Sequence, residues 1–195
     1  MRLPETVRAR LNVHRRKHPA TRMVRGYTDA SGAYRVNTRV SSSTFIYRPE
    51  NVFVEDNVYV GHYTVLDGSA RLAIGEGTQV SAWSGLLTHS SHISIRLYGR
   101  HYLECPEEQK KGYQLEPVTL GRYVFIGSRV LVLPGVTIGD GALVAAGSIV
   151  RADVAAFDVV AGDPATVVGD TREMDKAYLE DDPQLLAWYT EWQER

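Results

Sequence analysis

Between residues 118 and 150, branched aliphatic side chains fall at Leu120, Ile126, Val132, Ile138, Val144 and Val150, one every six residues. Four positions after each of the first five stands a small or β-branched residue: Val124, Val130, Val136, Ala142 and Ser148. A period of six is neither the 3.6 of a helix nor the alternation of an ordinary strand. A fixed period of this kind marks a repeat architecture. Six residues make one short strand and one corner, and three sixes make a coil. Each aliphatic side chain then points inward and stacks on the residue eighteen positions away. Each coil pairs its backbone with the coils above and below, so none buries its apolar face alone. The pattern predicts an all-β, parallel β-solenoid.

The same pattern runs upstream through Val54, Val60, Leu66 and Leu72, then resumes at Ile74, Val80 and Leu86. The two-residue slip predicts a bulged corner in one coil, near Ser69–Ala73. Residues 88–117 lose the spacing, and the repeat restarts at Leu120. This stretch is a long loop inserted at a corner, and loops of such length are uncommon without a function. At the start, Leu3, Val7, Leu11 and His14 share one face of a helix over 4–17, ended by Pro19. Residues 18–45 read as a hairpin or irregular cover. Beyond Val150 the pattern fades into one or two strands ending at the Gly162-Asp163-Pro164 turn. Asp182 as N-cap and Pro183 at the first helical position begin a capping helix, with Leu185, Trp188, Tyr189 and Trp192 on its apolar face. The division predicted is 1–45, helix and cover; 46–168, solenoid with the 88–117 insertion; 169–195, helical cap.

Composition adds little to the fold. The chain has 195 residues, 44% hydrophobic, with net charge −1, enough for one domain with its own core. The opening stretch lacks the apolar run of a secretion signal. With the single Cys105, this points to a reducing, cytoplasmic setting. Charge is uneven. Residues 2–25 carry seven Arg and one Lys against Glu5, and residues 163–195 carry nine acids against three bases. The ends are solvated or lie near each other, or the basic arm meets an anionic substrate or a membrane surface. Near-zero net charge without a binding motif argues against nucleic acid.

Two places carry candidate chemistry. His89 stands where the repeat stops and the loop begins, and a neutral imidazole takes a proton near pH 7. His92 is a second contact. A zinc site from His62, His89, His92 and His101 is disfavoured by register. His62 stacks over Ala82 and His89 under Ser69, on different faces. The other place is Ile126-Gly127-Ser128 with Ala145-Ala146-Gly147-Ser148. Small corner residues leave backbone N–H groups open to an oxyanion or an amide arm, or they simply fill tight corners. Ser128 and Ala146, eighteen apart, sit one above the other.

The stretch VFIGSRVLVLPGVTIGDGALVAAGSIV, followed by VVAGDPATVV, resembles the hexapeptide-repeat acyltransferases, closest to galactoside, maltose and polysaccharide O-acetyltransferases. The resemblance covers about Asn51 to Val168. It implies a left-handed parallel β-helix with short terminal helices, homotrimers with sites between subunits, and acetyl-CoA as acyl donor without a metal. His89 matches the catalytic base. Ser128 matches the residue whose amide faces the thioester oxygen, and Ala146 a pantetheine contact. Gly127 and Phe125 belong to the same cofactor group. His62 and Asp67 fall near acceptor-contacting positions, with Trp83, His92 and the loop residue Tyr98 as further acceptor contacts. Relatives carry Lys or Arg where this chain has Thr166 and Gly169, so Arg151 or Arg172 is left to meet the CoA phosphates.

The function implied is acetyl-CoA-dependent O-acetylation of a sugar or glycan by direct transfer, since no Ser or Cys lies in a nucleophile motif. The alternatives are N-acylation of an amino sugar, perhaps nucleotide-linked, a zinc-dependent hydratase of the γ-carbonic-anhydrase kind, and a scaffold without activity.

Overall fold

The computed structural model describes residues 21–194, so the helix expected over 4–17 lies outside the described residues. Strand β1 (Met23–Thr28) pairs antiparallel with β2 (Tyr34–Ser41), the hairpin expected before the solenoid. The far half of β2 is itself the first rung, with Arg39 opposite Tyr59 and Val40 opposite Val60 in parallel. The first coil continues through β3 (Phe45–Tyr47) and β4 (Val52–Val54). The second is β5 (Tyr59–Val60), β6 (Val65–Asp67) and β7 (Leu72–Ile74). The third is β8 (Gln79–Val80), β9 (Gly85–Leu86) and, beyond the insertion with its own strands β10 (His89–Ser90) and β11 (Gln114–Leu115), β12 (Val118–Leu120). The fourth is β13 (Phe125–Ile126), β14 (Leu131–Val132) and β15 (Thr137–Ile138). The fifth is β16 (Leu143–Val144), β17 (Ile149–Val150) and a parallel bridge from Val154 to Ile138.

Three sheets result: A through β2-β5-β8-β13-β16, B through β3-β6-β9-β14-β17, and C through β4-β7-β12-β15. Later coils keep the eighteen-residue step, with Phe125 opposite Leu143 and Leu131 opposite Ile149. The earlier ones do not. Tyr59 lies opposite Gln79, Val65 opposite Gly85 and Val52 opposite Leu72, a step of twenty. The two extra residues are therefore not a bulge in one coil. They recur in the first two coils at the corner from sheet B to sheet C, the corner that holds the insertion in the third, and the three sheet C strands there each carry two inward residues: Val52 and Val54, Leu72 and Ile74, Val118 and Leu120, all at most 1% exposed. The hexapeptide count sees only one phase slip because the stretch before Val52 holds no complete earlier coil.

The core is a stack of these side chains along the axis, with Leu66, Leu86, Val132 and Val150 on the sheet B side. The small residues at the corners have a definite task. Thr78 donates to the carbonyl of Gly121 and accepts from the amide of Val124. Ser84 does the same with Gly127 and Val130. A corner cannot use its neighbour's ladder, so a buried hydroxyl satisfies the loose amide and carbonyl of the next coil.

The C-terminal end closes with an antiparallel pair, β18 (Asp158–Gly162) and β19 (Ala165–Asp170), followed by helix α2 (Thr171–Leu179). Helix α3 (Pro183–Gln193) begins as the sequence predicts, the Asp182 carboxylate accepting from the amides of Gln184 and Leu185. (Helix α1, in the insertion, is Ser94–Tyr98.) Its docking is narrower than the apolar face suggests. Trp192 packs on Tyr123 and Phe157, at 4.7 and 5.8 Å between rings, while Trp188 stays 58% exposed.

Candidate active site

His89 begins the ribbon formed by β10 and β11, at the foot of the insertion, where the chain leaves the corner between sheets B and C. One coil below, Asp67 ends β6. Its buried carboxylate gathers five donors. The amide and hydroxyl of Ser69 reach Oδ1 at 2.9 and 2.7 Å. The amides of Thr88 and His89 reach Oδ2 at 2.8 and 3.1 Å, and His89 Nδ1 reaches it at 2.6 Å. Burial alone pushes the Asp67 carboxyl up; the hydrogen bonds from Ser69, Thr88 and His89 outweigh it and hold the group at about 2. An ionised carboxylate only accepts, so Nδ1 carries the proton and Nε2 presents its lone pair. The imidazole remains 39% exposed against 3% for the Asp67 side chain. Asp67, read from the sequence as an acceptor contact, thus touches the histidine itself.

Two cavities meet at this ring. The first, about 370 Å³, runs toward the N-terminal coils and is lined by Phe45, Tyr47, Arg48, Val65, Glu107 and Tyr113, with Asp67 and Ser69 at its base. Tyr113 stacks on His89 at 6.1 Å, and Arg48 meets Glu107 of the insertion at 3.6 Å. Burial, then Glu107, pushes the Tyr113 phenol up, so it stays a neutral hydroxyl at physiological pH. Gly112 turns the chain into Tyr113 at φ +74°, where a Cβ would stand 2.5 Å from Ile93. The second cavity, about 320 Å³, runs toward the C-terminal coils and is lined by Leu87, Ser90, His92, Leu133, Pro134 and Arg151. Arg151 is paired there with Asp163 at 3.0 Å. His89 lines both cavities.

The remaining candidates lie elsewhere. His62, Trp83, Gly127, Ser128 and Ala146 form a column along the corner between sheets A and B, at the other end of the sheet B strands. Ser128 and Ala146 are stacked as the eighteen-residue spacing predicts. The amide of Gly147 donates to Ser128 at 2.8 Å, and a Cβ on Gly127 would lie 2.5 Å from the nitrogen of Ala146. His62 bonds Ser41 at 2.6 Å, and Trp83 stacks on Tyr63 with Arg129 above it. Neither cavity at His89 touches this column. Phe125 faces outward from sheet A beneath α3. Tyr98 braces the insertion against itself, donating to the Gln109 carbonyl and accepting from the Lys111 amide. Of the four histidines weighed for zinc, His89 and His92 line one cavity, and among the described residues no three possible ligands gather. Nδ1 of His62, His89, His92 and His101 is engaged by Ser41, Asp67, Ser90 and Glu104 respectively. The sequence reading missed Phe45, Tyr47, Arg48 and Glu107. The first three lie one twenty-residue step before Val65, Asp67 and Gly68, a register visible only once the longer coil is known.

Residues 117–152 match the family described as bacterial transferase hexapeptide (six repeats). Residues 117–152 thus carry the hexapeptide repeat, and the chain is similar to hexapeptide-repeat acyltransferases. Among hexapeptide-repeat relatives, the chain is 28% identical to galactoside O-acetyltransferase of Escherichia coli over 144 residues, covering 73% of this chain and 65% of that one. It is 35% identical to nodulation protein L of Rhizobium meliloti over 120 residues, 61% of this chain and 60% of that one. The chain thus spans less than two thirds of the length of either relative. In fold it matches AntD, an N-acyltransferase from Bacillus cereus solved with dTDP and coenzyme A, at a TM-score of 0.56 and 19% identity over 75% of this chain and 90% of that one. The likeness implies that the hexapeptide coils wind left-handed. Among the described residues, no helix is long and apolar enough to cross a membrane.

Proposed function

We propose that this protein transfers an acetyl group from acetyl-CoA directly to a hydroxyl of a sugar or glycan, with His89 as general base. The observation that carries the reading is the 2.6 Å pair of His89 and buried Asp67, offered at the junction of two cavities. Asp67 is the positioning residue: it fixes the tautomer that leaves Nε2 basic. His89 takes the acceptor's proton as the acceptor oxygen bonds to the thioester carbonyl carbon. It returns that proton to the sulfur as the C–S bond breaks.

The cavity toward the N-terminal coils takes the acceptor, its Phe45, Tyr47 and Tyr113 rings suited to the apolar face of a pyranose. The cavity toward the C-terminal coils takes the donor, with Arg151 and His92 on its wall. Ser128 and Ala146 cannot serve the His89 of their own chain from the opposite edge. A second copy supplies them, in a homotrimer. The outward face of sheet B supports that contact: it shows Phe45, Tyr47, Val65 and Leu131, between 36% and 60% exposed. Sheet C instead shows Thr119 and Thr137, and sheet A shows Arg39 and Gln79 beside the aromatic Phe125.

The test is acetyl-CoA consumption across a panel of sugars and amino sugars, with mass measurement of the assembly. His89→Ala is expected to lower turnover at least ~10²-fold with KM for the donor little changed. Arg151→Ala is expected to raise KM for acetyl-CoA. Turnover of His89→Ala near that of the parent protein ends the assignment of the base. Transfer restricted to amines replaces the hydroxyl acceptor by an amino sugar.

A further inference from the structure

Two aromatic side chains at the corner between sheets A and B have no task in the fold. One residue past His62, Ala82, Ser128 and Ala146, the chain turns through the left-handed region at Tyr63, Trp83, Arg129 and Gly147, with φ of 57°, 60°, 61° and 77°. Such a turn suits glycine, and a bulky residue in it is an outlier. The corner between sheets C and A has the same turn. Its Tyr123 and Phe157, at φ 55° and 68°, pack against Trp192. Tyr63 and Trp83 instead stay 54% and 56% exposed. They stack coil on coil, 6.3 Å between centroids and 9° between planes, with the Arg129 guanidinium 5.7 Å from the indole. Rings held in a turn that suits glycine, ordered against each other and left open, are a surface kept for a ligand.

Their height along the solenoid says which ligand, given the reaction and trimer proposed above. Ser128 in the fourth coil and Ala146 in the fifth serve the donor cavity of a second copy, whose Leu133 and Arg151 lie in those same two coils. The copies therefore stand level, related by rotation about an axis parallel to the solenoid. Tyr63 in the second coil and Trp83 in the third then come level with the acceptor cavity, where Val65 and Asp67 belong to the second coil and Leu87 and His89 to the third. With Phe45 and Tyr47 in the first coil, the rings span two ladder steps, roughly 10 Å. That run is longer than one pyranose ring, and it is aromatic on both sides.

We infer that Tyr63 and Trp83 of a second copy close the acceptor cavity across the subunit boundary, and that the acceptor held there is an oligosaccharide rather than a free monosaccharide. The inference rests on the proposed His89 reaction. Apolar sugar faces meet the rings, and the Arg129 guanidinium backs the indole.

Tyr63→Gly with Trp83→Gly removes both rings and relaxes both turns, so the denaturant midpoint is expected to hold or rise. KM for an oligosaccharide acceptor is expected to rise at least ~10-fold, with KM for acetyl-CoA unmoved. The parent protein is expected to prefer oligosaccharides to their monosaccharide units at least ~10-fold in kcat/KM. Co-expression of the double Gly variant with His89→Ala tests the boundary. Roughly one site in four then pairs a native His89 with native rings, and activity is expected to exceed the mean of the two variants at least ~3-fold. Calorimetric titration with the same oligosaccharides reads binding without the reaction. Unchanged acceptor KM overturns the inference, as do equal use of monosaccharides and a raised KM without recovery in the mixed assembly. A parent protein that transfers nothing, yet binds oligosaccharides and loses that binding in the Gly variant, refutes the His89 reaction and keeps the aromatic site. A parent protein that binds none of them overturns the site.

Discussion

Replacing Asp67 by Asn tests the whole reading of the site, because it removes one charge and almost no volume. The native carboxylate accepts five hydrogen bonds from groups that are all donors. An asparagine offers one acceptor oxygen and one NH₂. If the oxygen serves Thr88 and His89, the NH₂ faces the Ser69 amide, and a buried N–H loses its acceptor. If it is turned the other way, three donors face the NH₂, and His89 is driven to the tautomer with Nδ1 as acceptor and no lone pair on Nε2. The first cost is about 1–3 kcal/mol of stability at neutral pH. The second removes the base, so turnover is expected to fall ~10²-fold or more with KM little moved.

The pH dependence gives an independent readout of the same change. The folded Asp67 lies at about 2 against 3.8 for the free group. A depressed carboxylate stabilises the fold above pH 3.8, and that contribution is lost as pH falls toward 2. Its size is about 2 kcal/mol. Urea unfolding followed by fluorescence between pH 2 and 7 measures it. The parent protein is expected to lose that increment between pH 4 and 2, and Asp67→Asn to lack it. An Asn variant equally stable at pH 7, with the same acid slope, refutes the claim that the five bonds hold an ionised carboxylate.

Four further outcomes follow from the coil. Leu66→Ala, at a fully buried position in the middle of the stack, is expected to cost about 2–5 kcal/mol in denaturant unfolding. Thr78→Val keeps the shape but leaves the Val124 amide and Gly121 carbonyl without the hydroxyl that joins them; about 1–3 kcal/mol is expected in the same assay. Gly127→Val drives a side chain into the backbone of Ala146 and Val144, with an expected loss of roughly 1–3 kcal/mol and misfolding of the Ser128 corner visible by hydrogen exchange. Arg48→Met removes a half-exposed partner of Glu107; the melting temperature is expected to stay put while KM for the acceptor changes.

The coil was legible because its signal is periodic: one inward aliphatic every six residues has no other architecture to belong to. The placement of His89 under Ser69 came from the same register, and the structure bonds them at 3.0 Å. What the spacing did not reveal is where a side chain points once the chain leaves a strand. Asp67 ends β6 and its carboxylate turns along the axis to the next coil, a direction that no six-residue count contains. The aromatic wall at Phe45 and Tyr47 was hidden for a different reason. Its period is six only if the coil is allowed twenty residues, and the first twenty-residue step begins inside what reads as a cover segment. Helix α2 was obscured by its composition: Thr171–Leu179 carries four charged residues, Arg172, Glu173, Asp175 and Lys176, and Thr171 is its one buried residue.

The misses around His89 share a location. The corner from sheet B to sheet C is where the early coils hold two residues more than the hexapeptide rule allows, where residues 88–117 are inserted, and where Asp67, Ser69, His89 and Arg48 all reside. The regular corners have no freedom to offer: at the corner between sheets A and B, Gly127 lies so close to Ala146 that not even a methyl group fits. An added pair of residues lets the backbone swing outward while both sheet C side chains still point inward, so the core is kept and a polar pocket opens beside it. A solenoid fixes the height of every residue along its axis through its ladders. A corner freed from the repeat can then choose its own chemistry without disturbing the coils that hold it, and in this chain the break in the period marks the candidate site more directly than the period does.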